Sequence, residues 1–136
     1  MRIAALDVGE ARIGVAVSDE LGITAQGIGI VHRVGGKRDL EALAGLLAPY
    51  TPTLLVVGLP LNMDGSEGRQ VVKVRAFAAT AAAHLGLPLE YWDERLTTVA
   101  AERALLKADV SRRRRRDLVD KVAASLILQG YLARHA

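Results

Sequence analysis

There is no cysteine among the 136 residues of the chain. That absence excludes a disulfide framework, a thiolate zinc site and a cysteine nucleophile, and it suits a reducing compartment. Aromatic residues are scarce at 4%. Tyr50, Phe77, Tyr91, Trp92 and Tyr131 are too scattered to form a platform on which single-stranded bases stack. No apolar run approaches the roughly 20 residues needed to cross a bilayer, and the best, Leu54 to Leu61, falls far short. The chain passes from Met1-Arg2-Ile3 to Asp7 without the apolar stretch and small-residue cleavage site of a secretory signal, which predicts a cytoplasmic location. His32, His84 and His135 show no metal-ligand spacing. Ser18 and Ser125 have no base in recognisable relation, which leaves out a serine hydrolase.

What is present is ordinary globular composition, with 51% hydrophobic and 24% charged residues. A chain of this length hides roughly 68–70% of its unfolded surface on folding, enough for a core without staples. With no linker and no internal repeat, one domain over 1–136 is expected. The net charge is +3, and five of the positive charges are consecutive, Arg112, Arg113, Arg114, Arg115 and Arg116. The rest of the chain is therefore net negative. A basic character so localised points to contact with a polyanion.

The first third reads as strands, an apolar run at Ile3 to Asp7 and alternating patterns at Ile13 to Ser18 and Thr24 to Val31. The turn-like segments Val8-Gly9-Glu10 and Asp19 to Gly22 separate them. Short connections favour antiparallel neighbours. The period then becomes helical at Leu40, Leu43, Leu46 and Leu47, closed by Pro49 and Pro52. Thr53 to Val57 is compact and apolar, as a strand buried on both faces is. A polar loop from Gly58 to Ser66 leads into a helix from about Ser66 to Leu85, stopped by Gly86 and Pro88. A strand at Leu89 to Trp92, a helix capped by Thr97 or Thr98 through Leu106, and a last helix at roughly Asp117 to Ala133 complete the order β-β-β-α-β-α-β-α-α. This predicts an α/β fold with a mixed sheet, three antiparallel strands first, and helices on its faces.

Acidic residues fall at telling places. Asp7 sits where the first strand ends, at the edge where α/β folds place ligands. Asp93 and Glu94 end the strand Leu89–Trp92. Asp120 shares a helix face with Ala123, Ala124 and Ile127, so it is expected to look toward the core. Neighbouring carboxylates repel and raise one another's pKa, and a hard divalent cation relieves this. Two such ions about 3.5–4 Å apart can activate water and stabilise the leaving oxygen of a phosphodiester. Each acid taken singly is equally a turn residue, cap or ion-pair partner.

Four segments together resemble the YqgF/RuvX family of ribonuclease H-like proteins, the pre-16S rRNA nuclease and Holliday junction resolvase-like group. They are Asp7-Val8-Gly9-Glu10-Ala11-Arg12-Ile13-Gly14-Val15-Ala16, Gly58-Leu59-Pro60-Leu61-Asn62-Met63-Asp64-Gly65-Ser66-Glu67-Gly68, Asp93-Glu94-Arg95-Leu96-Thr97-Thr98, and Ser111 through the arginines to Val119-Asp120-Lys121-Val122-Ala123-Ala124. The resemblance spans essentially the whole chain. It implies a ribonuclease H-like sheet and a nuclease dependent on Mg²⁺ or Mn²⁺. Asp7, Glu94 and Asp120 would be its catalytic and metal-binding acids, and Asp93 a second-rank alternative to Glu94. Strand alternation lets only one of Asp93 and Glu94 join Asp7 directly. The implied substrate is structured nucleic acid, either the 5′ end of pre-16S rRNA or branched DNA. A junction resolvase would also need a two-fold homodimer.

The remaining basic and polar positions fit the same picture. Ser66 reads as a helix N-cap, and Arg69 in the following turn opposes the helix dipole unless an anion sits there. The resemblance puts this loop, with Asn62, beside the active site. Arg12 and Arg95 closely follow site acids, so each is expected either to hold phosphate or to pair with Asp7 or Asp93. Arg112 to Arg116 predict a mobile, solvated linker that binds phosphates with strong salt dependence. Two other readings use the same residues. One is an inactive nucleic-acid-binding module; the other is an actin- or hexokinase-like ATPase, whose first phosphate loop Asp7-Val8-Gly9 also resembles but whose cleft needs two domains.

Overall fold

The computed structural model describes residues 1–96 and 112–135, and the side chains of all of these except 112–118. Five strands, β1 (Ile3–Val8), β2 (Arg12–Ser18), β3 (Ala25–His32), β4 (Leu54–Leu59) and β5 (Leu89–Asp93), form one sheet in the order β3-β2-β1-β4-β5. The pairs β1–β2 and β2–β3 are antiparallel, and β4 runs parallel to both β1 and β5. The described helices are α1 (Gly36–Leu47), α2 (Arg69–Leu85) and α3 (Arg112–Arg134), with 3-10 turns at Ala48–Tyr50 and Glu94–Leu96. The expected helix from Thr97 or Thr98 to Leu106, and Ser111, lie outside the described residues.

Alternation within the strands divides the core into two layers. On one face Ala4, Leu6, Val8, Ile13, Val15, Leu55 and Val57 pack against Leu43 and Leu47 of α1 and Val71, Val74 and Ala78 of α2. On the other, Ile3, Ala5, Ala16, Leu54, Val56 and Trp92 meet Ala123, Ala124, Ile127, Leu128 and Tyr131 of α3. The expected helices on both faces are present, and α3 covers its face alone among the described helices. β1 is central, so all six of its residues are buried, Asp7 among them at 8% exposure. A carboxylate inside a strand buried on both faces is costly unless it is paired or functional.

Two sequence expectations are corrected. The arginines were expected to form a mobile linker, but their backbone is helical from Arg112 onward. Arginine is a good helix former, and once the buried stripe from Val119 to Leu132 has nucleated the helix, each further turn upstream adds hydrogen bonds at little cost. Nor does Ser66 cap α2, which begins at Arg69 behind Gly68 with no side-chain cap. Asp64 captures Ser66 instead, accepting from its hydroxyl at 2.6 Å and from its N–H at 2.9 Å.

Candidate active site

The three acids of the expected set converge on two strand glycines. Asp7 lies opposite Gly14 in the β1–β2 ladder, so their side-chain positions share a face. That face belongs to α3. A Cβ on Gly14 would stand 2.0 Å from the main-chain oxygen of Asp120 and 2.6 Å from its carbonyl carbon. Only a glycine lets the helix backbone approach a strand so closely. On the other flank of Asp7, the parallel β1–β4 register runs to Leu6↔Val57, and one step further brings Asp7 beside Gly58. A Cβ on Gly58 would stand 3.2 Å from Cγ of Glu94 and 2.6 Å from Cδ1 of Ile127. Asp7 is thus bracketed by two residues without side chains. The main chain of Asp120 covers one, and the Glu94 side chain covers the other.

Asp93 and Glu94 diverge as strand alternation requires. Trp92 is opposite Gly58 and packs under α3, whereas Asp93 is opposite Leu59, which faces the α1–α2 layer. Glu94, two residues beyond Trp92, returns to the α3 face, and its Oε1 is buried. Asp93 is held by Arg95, whose Nη2 donates at 2.7 Å and whose Nε donates at 3.0 Å to the same carboxylate oxygen. These bonds keep the Asp93 carboxyl below the usual aspartate range.

The arginines beside the acids have partners within the chain. Arg12 is engaged by Asp120. Its Nε donates to Oδ2 of Asp120 at 2.6 Å, across 108 residues of sequence. Arg95 pairs with Asp93, and its Nη1 also donates to the carbonyl of Met63 at 3.2 Å. It thereby ties the Asn62–Ser66 loop to the end of β5. That loop closes on itself, with Asn62 Nδ2 donating to Ser66 Oγ at 2.9 Å and Gly65 N–H to the Asn62 carbonyl at 2.8 Å. The Ser66 hydroxyl and N–H hold the Asp64 carboxyl below its usual range. Arg69 is exposed at the first position of α2. Arg112–Arg116 open α3, with Asp120 about one turn after Arg116.

Sequence reasoning missed Gly14 and Gly58 as contact points. A glycine inside an otherwise β-forming run is the signal that could have found them. It also missed the Arg12–Asp120 pair, for which spacing gives no signal. A cavity of about 1060 Å³ opens on the α1–α2 side of the sheet, lined by Val8, Arg33, Lys73 and Phe77 among others. Of its three lining cations, Arg33 and Lys73 are paired with Asp39 and Glu10, and the third is Lys37.

Asp7, Glu94 and Asp120, supplied by three elements, offer the all-oxygen donor chemistry of Mg²⁺ or Mn²⁺. As placed, no three His, Cys, Asp or Glu side chains among the described residues are close enough together to hold a metal ion. The donor types fit a hard cation, and Asp120 is engaged by Arg12. Among the described residues no helix is long and apolar enough to cross a membrane.

Comparison with known proteins places these features in context. A family model described as RuvX, Holliday junction resolvase, matches residues 1–134. A protein of Myxococcus xanthus named "Putative pre-16S rRNA nuclease" is 58% identical over 135 residues, covering 99% of this chain and 89% of its own length. One of the same name from Moorella thermoacetica is 58% identical over 134 residues, covering 98% and 96%. Among solved structures, RuvC of T. thermophilus in complex with Holliday junction substrate aligns with a TM-score of 0.61 at 16% identity, over 100% of this chain and 97% of that one. Fowlpox virus resolvase with Holliday junction DNA aligns at 0.55 and 13% identity, over 99% of both chains. At such identities the structural matches establish the fold, which is the RuvC-like ribonuclease H architecture. Near-complete coverage by the family model and by relatives above half identity places the chain in the YqgF/RuvX family.

Proposed function

We propose that the protein is a metal-dependent nuclease that hydrolyses phosphodiester bonds in structured nucleic acid, and that its substrate is the 5′ end of pre-16S rRNA. The observation that carries this reading is the bracketing of Asp7 by Gly14 and Gly58, with Asp120 and Glu94 brought over those two glycines. Nothing in core packing calls for three acids on one buried face, whereas phosphodiester hydrolysis does. Asp7, Glu94 and Asp120 would hold Mg²⁺ or Mn²⁺. When bound, such an ion polarises the phosphate and lowers the pKa of the attacking water. Asp7, on the central strand, fixes the position of the set. Glu94 reaches it from the 3-10 turn after β5, and Asp120 from α3. Asp93 stays outside, clamped to Arg95.

Charge on the approach supports a polyanionic substrate. Arg69 stands at an uncapped helix N-terminus whose free N–H groups suit phosphate. The Asn62–Ser66 loop beside it is braced by Arg95, so Arg95 serves the loop rather than a phosphate directly. Arg112–Arg116, on the helix of Asp120, supply salt-dependent backbone contacts. The curated relatives' name favours ribosomal RNA, and the description of the family model favours branched DNA as the second reading.

One assay separates these readings. Matched pre-16S rRNA 5′ ends and four-way DNA junctions are offered with Mg²⁺, Mn²⁺ or EDTA. Cleavage of the RNA alone, abolished by EDTA, is the expected result. Junction cleavage with paired nicks would move the substrate to DNA and require a dimer on the junction. Binding of both without cleavage under any metal would overturn the enzymatic reading.

A further inference from the structure

The Arg12–Asp120 pair joins the expected acid set to a cation supplied by the chain itself. Arg12 lies on β2 two residues before Gly14 and therefore on the same face. Gly14 is opposite Asp7, which puts Arg12 diagonal to Asp7, within reach for a long side chain. Asp120 main chain rests on Gly14 between them. The pair is partly buried, with side chains 25% and 17% exposed. At 2.6 Å it is a short, charge-assisted contact.

A guanidinium here does part of what a divalent cation would do. It neutralises Asp120 and lowers the repulsion between Asp120 and Asp7 while α3 docks on the sheet. Asp120 could offer its second oxygen to a metal ion without leaving Arg12. The two cations would then stand only a few Å apart and repel strongly in a partly dry site.

We infer that Arg12 is an exchangeable counter-cation of the acid site. It holds Asp120 when no divalent ion is bound, and it releases Asp120 on metal binding, which frees its guanidinium beside the site for a substrate phosphate. The inference rests on the proposed reading of Asp7, Glu94 and Asp120 as the metal-binding set. It makes Arg12 a positioning residue for Asp120.

The test measures metal binding directly, by calorimetric titration of Mn²⁺ into wild-type protein, Arg12→Gln, Asp7→Asn and Asp120→Asn. Removing the competing cation should tighten Mn²⁺ binding about tenfold in Arg12→Gln, the lower end of the range by which neighbouring groups alter metal affinity. The Asp7→Asn and Asp120→Asn variants should lose binding. Unchanged or weaker affinity in Arg12→Gln, with binding lost in the two Asn variants, overturns the exchange and leaves the acid set standing. Wild-type affinity in both Asn variants overturns the acid set itself. A second measurement needs no variant. In a ¹⁵N spectrum of the wild-type protein, the Arg12 Nε–H resonance should move as Mg²⁺ saturates the site. A resonance unmoved at saturation overturns the exchange.

Discussion

Replacing Gly14 with alanine tests whether the close approach of α3 to β2 is what positions Asp120. The backbone of Gly14 is not in the left-handed region, so alanine meets no conformational strain there. The effect is therefore one of contact alone. The new Cβ would lie 2.0 Å from the Asp120 carbonyl oxygen, and real Cβ atoms essentially never come closer than 3.0 Å. The helix must retreat by about 1 Å, because a carbonyl bonded within a helix cannot swing away by itself. Overpacking of this kind costs about 1–3 kcal/mol. The smaller entropy of the unfolded alanine chain returns roughly 0.4–1 kcal/mol. A net destabilisation of about 1–2 kcal/mol follows, read as a lower urea midpoint at unchanged slope. A 1 Å displacement of a catalytic group costs on the order of 10²-fold in rate, so turnover should fall by about that factor in protein that is still folded. Gly45 provides the control. It is exposed within α1, and a Cβ there meets nothing within 4 Å. Gly45→Ala should stabilise by about 0.5–1 kcal/mol with no change in cleavage. The same methyl group thus acts with opposite sign at two sites. If Gly14→Ala matches wild type in both midpoint and turnover, the contact does not position Asp120 and the reasoning fails.

Further outcomes follow from the same geometry. Asp7→Asn and Asp120→Asn should abolish cleavage while nucleic-acid binding stays within a few-fold, and full activity in either variant removes that residue from the mechanism. Glu94→Gln should be inactive. Asp93→Asn should keep most activity, because its carboxylate serves Arg95 on the other face; the reverse pattern would exchange their roles. Replacing Arg112–Arg116 with alanine should lower the slope of log affinity against log salt by roughly 2–4, since each phosphate contact contributes about 0.7–0.9; an unchanged slope would move the polyanion contact to Arg69 and Lys73. Burial and the hydrogen bond it donates to Glu90 push the Tyr131 hydroxyl up to about 12 from 10.0. A raised folded-state pKa means that the stability is intact below pH 10 and is lost as pH rises toward 12, by about 2–3 kcal/mol. Tyr131→Phe should flatten that loss in urea titrations across the same window, and identical alkaline profiles would contradict it.

Much of this architecture was legible because it is written in short-range pattern. Compact apolar runs and period-two alternation together located every strand to within two residues at each end. It also separated Asp93 from Glu94, since adjacent strand residues cannot share a face. The three acids stood out because each interrupts an apolar pattern. What the sequence hid is of two kinds. Local competition hid the start of α2, where Ser66 is an apt cap but Asp64 lies two residues before it and takes its hydroxyl. Composition misled at Arg112–Arg116, where charge density suggested a linker and helical propensity, anchored by the stripe beginning at Val119, prevailed. Long-range assembly hid the rest. Arg12 and Asp120 meet only because β2 and α3 cross at Gly14, and no spacing rule spans 108 residues.

The order of elements along the chain has a consequence for biosynthesis. All five strands precede α3, and α3 brings both Asp120 and the cover for Ile3, Ala5, Val56 and Trp92. A ribosome-bound chain that has released the sheet but not yet this helix carries two of the three acids and an uncovered apolar face. It lacks Asp120 and the described helix that shields that face. A messenger truncated before codon 112 would therefore yield a product that, on the proposed acid set, cannot cleave and that leaves the α3-facing apolar layer without its helix. Activity and solubility would arrive together, with α3.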